Sequence, residues 1–479
     1  MLNHTSRLAA LASAFLAINS ATALDYPVND PDALSSAVKQ IATGVIDFDV
    51  EDYGGIGNFP DPYTWEESAT AWDSLLEYWY LTGDASHNAA VQAALLGQMG
   101  PDDDYMPPNQ SLTLTNHGQA RWALTALSAA ERGLPAVSDK PTWEKLASAV
   151  FEVQVPRWDE KTCGGGMREA IFTFSDGYDS KDTFTQASFF QLAARLARFT
   201  GNHTYADWAA RAYDWMLATE LIDKDSRVFS HANASSNCSI VSHEQWSEPA
   251  ASIAYGCAIL ANITSSTTWS NRTTSHVSTL LATFFPPSAN NTITEPSCHE
   301  TTGSPPGSDD CTDSTHAGST ASALHHLSLI PLFQPHLSPA IAAALSATAA
   351  AITPLCNNTT TNTTTNTTTS EDVSSSSVSC HGLGQQLAAL EALQSGFVVV
   401  GDGRGGAGVN ASVVRRLRTA SGNGTSDTTA AAADGDSDGD SSGGGGDSTG
   451  AAAGGGGSVS LSLSLLIVAG LVAVGMAAL

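Results

Sequence analysis

The sequence predicts an all-α fold, a toroid of helical hairpins, and two observations carry that expectation. In WEESATAWDSLLEYWYLTGD, Trp65, Ala69, Trp72, Leu76 and Trp79 recur every three or four residues and make one helix face apolar. The same design then returns around a turn. SFFQLAARLARFTGNHTYADWAARAYDWM breaks at Thr200, Gly201 and Asn202 and resumes with Tyr205, Trp208, Ala212 and Trp215 on one face, which is a repeated helical hairpin. Gly83 and Gly201 stand where a helix C-terminus favours glycine. Strand-like alternation is scarce. Serial hairpins that close on one another leave a central cleft built from their loops.

Further helices are expected at 116–132, 143–154, 247–262, 339–352 and 384–395. Residues 24–400 are long enough for one domain with a substantial core. Trp72, Trp79, Trp208 and Trp215 read as filler of that core. The run CGGGM at Cys163 to Met167 lacks the Gly-Lys-Ser/Thr ending of a phosphate loop. Close approach of its backbone to a ligand or a neighbouring helix explains the glycines better.

Composition and the two ends bear on where the chain acts. Residues 1–23 run from a weakly basic start through a short apolar stretch to small residues, as a signal peptide does. That stretch is too short to cross a bilayer of about 30 Å. Residues 459–479 are uncharged and apolar, preceded by a Gly/Ala spacer and small residues, the pattern of a GPI-attachment signal with Ser448 as the expected attachment residue. Residues 401–458 read as a flexible Gly/Ser/Asp-rich stalk, and 357–379 as a glycosylated Asn/Thr/Ser-rich insertion. The expected location is the outer face of the plasma membrane or the cell wall, with the lipid as the only membrane contact.

Sequons at Asn109, Asn202, Asn233, Asn237, Asn262, Asn271, Asn290 and further along the chain must face solvent if they carry sugar. A formal net charge of -28 repels phosphate backbones and excludes nucleic acid as a partner. The seven cysteines should mostly pair in an oxidising compartment; proximity suggests Cys298 with Cys311 and Cys356 with Cys380. Without a CxxC pair or a His cluster, neither a metal nor another cofactor is expected, and the adjacent His325 and His326 read as an exposed pair.

Four blocks carry a resemblance: YTWEESATAWDSLLEYWYLTGD, GPDDDYMPPNQSLTLTNHGQARWALTALSAAERG, CGGGMREAIFTFSDGYDSKDTFTQASFFQLAARLARFTGN and SHEQWSEPAASIAYGCAILANIT. In order and spacing they resemble glycoside hydrolase family 76, the endo-alpha-1,6-mannanases and their GPI-anchored fungal cell-wall relatives. The likeness runs from Leu24 to Gly396, where GLGQQLAALEALQS is similar to the closing helix. The resemblance implies an (α/α)6 toroid that cleaves or transfers alpha-1,6-linked mannose with retention, and a monomer is expected. Retention needs two carboxyl groups about 5 Å apart.

In the family these come from an Asp-Asp pair in a block reading Asn-Asp-Asp-Gln. Here the block reads Asn116, His117, Gly118, Gln119, so both are replaced. The family's Arg-Trp likewise reads Arg168-Glu169, and its Tyr-Asn reads Glu248-Pro249. Weak substitutes are Asp102, Asp103 and Asp104, which also read as a solvated turn, and Glu66, Glu169 and Glu248 in cleft-forming blocks. For substrate binding, Trp65, Trp122, Tyr178 and Trp246 are candidate stacking platforms, with Glu66, Asn116, Gln119, Arg168 and Asp179 as polar ligands. Two functions follow from the resemblance. One is a glycosidase or transglycosidase on alpha-1,6-mannan or GPI-glycan mannose in wall building; the other is a silent mannan-binding protein on the same scaffold.

Overall fold

A computed structural model describes residues 31–48, 55–111, 113–298, 314–352 and 382–399. All lie in the first of two compact units, Met1–Thr425. The signal peptide, insertion, stalk, tail and Ser448 fall outside the described residues, as do the side chains of the two expected cysteine pairs.

Twelve helices stand among the described residues: α1 Pro31–Ile46, α2 Trp65–Thr82, α3 Asn88–Gly97, α4 Asn116–Arg132, α5 Trp143–Gln154, α6 Thr183–Thr200, α7 His203–Ala218, α8 Ser247–Thr264, α9 Thr267–Phe284, α10 Ser314–Leu329, α11 Ser338–Ile352 and α12 Leu383–Val399. Even-numbered helices pack on each other in sequence, α2 on α4, α4 on α6, α6 on α8, α8 on α10 and α10 on α12, and α12 returns to α2. Odd-numbered helices lean on this inner ring from outside. The result is the toroid of hairpins that the sequence predicts.

Caps set where the inner helices begin. Thr64 accepts from the Glu67 amide at 3.2 Å while Glu67 Oε2 accepts from the Thr64 amide at 2.8 Å, a capping box. Thr115 Oγ1 accepts from the Gly118 amide at 2.9 Å, and Asp182 caps α6 through the Thr185 amide. Gly83, Gly133 and Gly201 end α2, α4 and α6 with left-handed backbone. A three-stranded antiparallel sheet, β1 Ser180–Asp182, β2 His231–Asn233 and β3 Val241–Ser242, lies just ahead of α6 and α8.

Because neighbours surround an inner helix on every side, its polar residues are buried with its apolar ones. Arg132 pairs with Glu77 and lies 3.9 Å from Asp73. Arg195 Nη2 donates to Glu131 Oε2 and to Ser128 Oγ, each at 2.8 Å. Ser74 Oγ donates to Glu391 Oε1 at 2.6 Å, and His325 Nδ1 lies 3.2 Å from Glu391 Oε2. His325 and His326 are therefore buried inner-ring residues, which corrects the expected exposed pair. Burial holds the His326 imidazole well below its usual range; burial also opposes charge on His325, yet Glu391 keeps it raised.

Helices α1, α3, α9 and α10 escaped the periodicity reading. In α9 and α10, Ser, Thr and Gly dilute the stripe, and tertiary packing supplies what propensity lacks. Every sequon among the described residues, Asn109, Asn202, Asn233, Asn237, Asn262, Asn271 and Asn290, is exposed. Since Arg132 neutralises two buried carboxyls, Arg132→Ala should cost about 3–5 kcal/mol. Denaturant unfolding would show it, and a loss below about 1 kcal/mol would contradict a closed, dry charge lattice at this end.

Candidate active site

The inner helices run parallel, so all their N-termini share one rim. Glu66, His117, Phe184 and Glu248 each lie within the first turn of α2, α4, α6 and α8. Acidic groups are favoured there by the helix dipoles.

His117 sits at the centre of this rim. Its Nδ1 lies 3.0 Å from Ser188 Oγ, its Nε2 is 3.9 Å from Glu248 Oε1, and its ring meets the edge of Phe184 with centroids 5.5 Å apart. Phe184 leans in turn on Trp246 at 6.5 Å, and both rings are partly exposed. Burial, aided by the Arg121 guanidinium, pushes the His117 imidazole down to about 3. It is therefore a neutral group rather than an ion-pair partner.

Gly118 has a neighbour that uses its missing side chain. A Cβ built there would overlap Glu66 Oε1 and lie 2.9 Å from Glu66 Cδ. Thr115 Oγ1 donates to the same Oε1 at 2.9 Å. Burial, with Glu169 nearby, raises the Glu66 carboxyl above its usual range. Glu248 is also raised by burial, against the pull of Arg121, whose Nε is 3.8 Å away. Burial lifts Asp182 and Glu295 to about 7, but both cap helices: Asp182 holds α6, and Glu295 takes the amide and hydroxyl of Ser247 at the start of α8.

Other sequence candidates sit beneath the rim. Trp65 and Trp122 are core residues, 6% and 0% exposed, with their indole N–H groups given to Gln98 Oε1 and the Trp65 carbonyl. Asn116 donates to the Arg168 carbonyl and accepts from Arg157, while Gln119 donates to the Asp104 carbonyl and accepts from Arg157. These amides brace the floor. Arg168 stacks on Tyr178 at 4.5 Å and reaches Asp159 at 3.0 Å and Asp179 at 3.4 Å, so these residues form one partly exposed edge of the rim. Asp103 has left-handed backbone and faces Lys145 on α5 at 3.5 Å, whereas Asp104 is buried near Arg157. Neither stands at the His117 centre.

Sequence reasoning missed Phe184, Ser188 and Arg121. The clue to Phe184 was its place two residues after the cap Asp182, at the start of an inner helix. The CGGGM loop packs on tryptophans: a Cβ on Gly165 would come within 2.8 Å of Trp158 and Trp215. The buried Lys181 ammonium donates to the carbonyls of Thr162 and Gly165, and a disulfide ties Cys163 to Cys238 across 75 residues. Among the described residues no cluster of His, Cys, Asp and Glu could hold a metal ion.

Comparison with known proteins agrees with the fold. The family model described as Glycosyl hydrolase family 76 matches residues 33–402. The mannan endo-1,6-alpha-mannosidase DCW1 of Candida glabrata is 40% identical over 272 residues, 56% of this chain and 61% of that relative. The chain thus spans about six-tenths of the length of the curated relatives it matches. The crystal structure of Dfg5 from Chaetomium thermophilum in complex with glucosamine superposes with a TM-score of 0.67 at 28% identity, covering 77% of this chain and 91% of that one. An alpha-1,6-mannanase from Salegentibacter, solved as an inactive variant with alpha-1,6-mannotriose, has a TM-score of 0.57 at 12% identity, over 76% of this chain and 98% of that one, and shares the fold.

Depression of the His117 imidazole fixes a pH effect. The unfolded chain takes up this proton near pH 6.5, whereas the folded chain resists it down to about 3. The stability due to neutral His117 is present above pH 6.5 and is lost as pH falls from there toward 3. NMR of the ring nitrogens should find a neutral imidazole at pH 5; titration with a midpoint near 6.5 would contradict the site's burial. The disulfide gives a second test. Cys163→Ser should cost about 2–5 kcal/mol by freeing a long loop, read as a lower unfolding midpoint and matched by Cys238→Ser.

Proposed function

Because the chain belongs to glycosyl hydrolase family 76, we propose that it is a cell-surface glycosidase or transglycosidase acting on alpha-1,6-linked mannose chains, of wall mannan or of a GPI glycan. One observation carries the reading: the N-terminal rim of the helical ring brings the carboxyls of Glu66 and Glu248 to the first turn of α4, where the His117 ring meets Phe184 and Phe184 meets Trp246, both of these rings partly exposed. A pyranose has apolar faces that pack on such rings, while its hydroxyls and linkage oxygen need acids and amides. The named activities of relatives such as DCW1 support the same substrate class.

The setting we propose is extracellular, with residues 1–23 as leader, 401–458 as stalk and a GPI lipid at or beside Ser448 as the tether. Exposed sequons and the Cys163–Cys238 disulfide support an oxidising, glycosylating route. The protein then works as a monomer beside the polymer it processes.

A second reading, a silent mannan-binding protein, is favoured by His117 and Gly118 in place of two acids. One assay separates the two. The full-length protein is passed over immobilised linear alpha-1,6-mannan for retention, and incubated with the soluble polymer for new reducing ends or altered chain length. Retention with turnover is expected. Retention alone selects the silent binder, and loss of both removes the mannan assignment. Trp246→Ala should weaken retention by about tenfold if its ring carries a sugar; unchanged retention would assign Trp246 to packing.

A further inference from the structure

At position 118 the chain lacks a side chain and the carboxyl of another residue takes the space. Besides the overlap with Glu66 Oε1, a Cβ on Gly118 would lie 3.0 Å from Glu66 Cγ, so the far end of Glu66 stands where a side chain of α4 would start. The Thr115 hydroxyl, itself the cap of α4, holds that carboxyl from the α4 side. Glu248 reaches the same turn from across the ring, with Oε1 3.9 Å from His117 Nε2 and 3.8 Å from Arg121 Nε. Two carboxyls, from α2 and α8, thus converge on consecutive residues of α4.

We infer that Glu66 and Glu248 are the catalytic acid pair of this chain, Glu248 as nucleophile and Glu66 as general acid and base, acting on an alpha-1,6-linked mannosyl chain. The inference rests on the function proposed above and adds to it the residues that perform the chemistry. Neighbours assign the roles. Burial raises both carboxyls, but the Arg121 guanidinium, with its Nε 3.8 Å away, pulls Glu248 toward its ionised form, whereas Glu169 adds to burial in holding the proton on Glu66. Asp182 and Glu295 are committed to helix caps.

The steps balance without a co-reactant. As the Glu248 carboxylate bonds to the anomeric carbon, the bond from that carbon to the linkage oxygen breaks and the Glu66 proton passes to the departing oxygen. Glu66, now ionised, takes the proton of an incoming hydroxyl, from water or another sugar. That oxygen attacks the same carbon and the ester to Glu248 breaks, restoring both carboxyls.

The test uses the full-length protein and linear alpha-1,6-mannan, with retention on the immobilised polymer measured in parallel. Glu66→Gln and Glu248→Gln should each lower turnover by about 100-fold or more, with retention within about threefold of wild type. Azide should restore turnover to Glu248→Ala by forming a glycosyl azide, and Glu66→Gln should still turn over a dinitrophenyl mannobioside, whose leaving group needs no proton. Gly118→Ala keeps both acids in the chain yet displaces the Glu66 carboxyl from its seat, so kcat should fall about tenfold or more even if a glutamine variant fails to fold. Wild-type turnover in Glu66→Gln, Glu248→Gln or Gly118→Ala overturns the assignment. Retention without any turnover by the wild-type protein also overturns it while sparing the mannan reading; absence of both removes that reading itself.

Discussion

Closure of the inner ring is the constraint on which the molecule depends. Helix α12 must return to α2, more than 300 residues earlier, and the seam is polar as well as apolar. Ser74 Oγ donates to Glu391 Oε1, Gln394 Nε2 donates to the Ser74 carbonyl at 3.1 Å, and the Leu383 amide donates to the Tyr63 hydroxyl at 3.1 Å. A buried carboxyl such as Glu391 is tolerable only because Ser74 and His325 both meet it. If the seam opened, each of these groups would be stranded in the interior.

Closure also sorts charge along the ring axis. Parallel helices put positive dipole ends on one rim and negative ends on the other. The first rim gathers Glu66, Glu67 and Glu248, and the second carries Arg132 and Arg198 in the last turns of α4 and α6. At the arginine end Arg132 pairs with Glu77 and lies 3.9 Å from Asp73, and Arg198 lies 3.8 Å from Glu131. The acid end is left with carboxyls near neutral aromatic and imidazole groups, where burial raises their hold on a proton. One architecture thereby yields an end of arginine–carboxylate pairs and an end of buried acids.

The Asp pair that the resemblance leads one to expect, and in whose place His117 and Gly118 stand, takes a different meaning in this geometry. Read along the chain, His117 and Gly118 are two missing acids. In space, Gly118 is the gap that admits Glu66, and His117 is the neutral ring between Glu248 and Ser188. The glycine at 118 and the present seat of the Glu66 carboxyl therefore go together, because a Cβ at 118 would overlap that carboxyl where it now stands.

Helical periodicity alone determined the bounds of α4 and α5, the α6–α7 hairpin and the stripe on α2, because those segments bury a face whose spacing is local. Sequence also identified Glu66, His117, Gly118 and Glu248 as residues of consequence. It misjudged depth. Trp65, Asn116, Gln119 and Trp122 share a block with the rim yet point into the floor, and His325 and His326 lie inside the ring. Burial on all sides of an inner helix leaves no polar stripe to read, so direction is lost from the pattern. Only the tertiary structure decided which acids meet, since α2, α4 and α8 are brought together by closure of the ring and not by nearness along the chain.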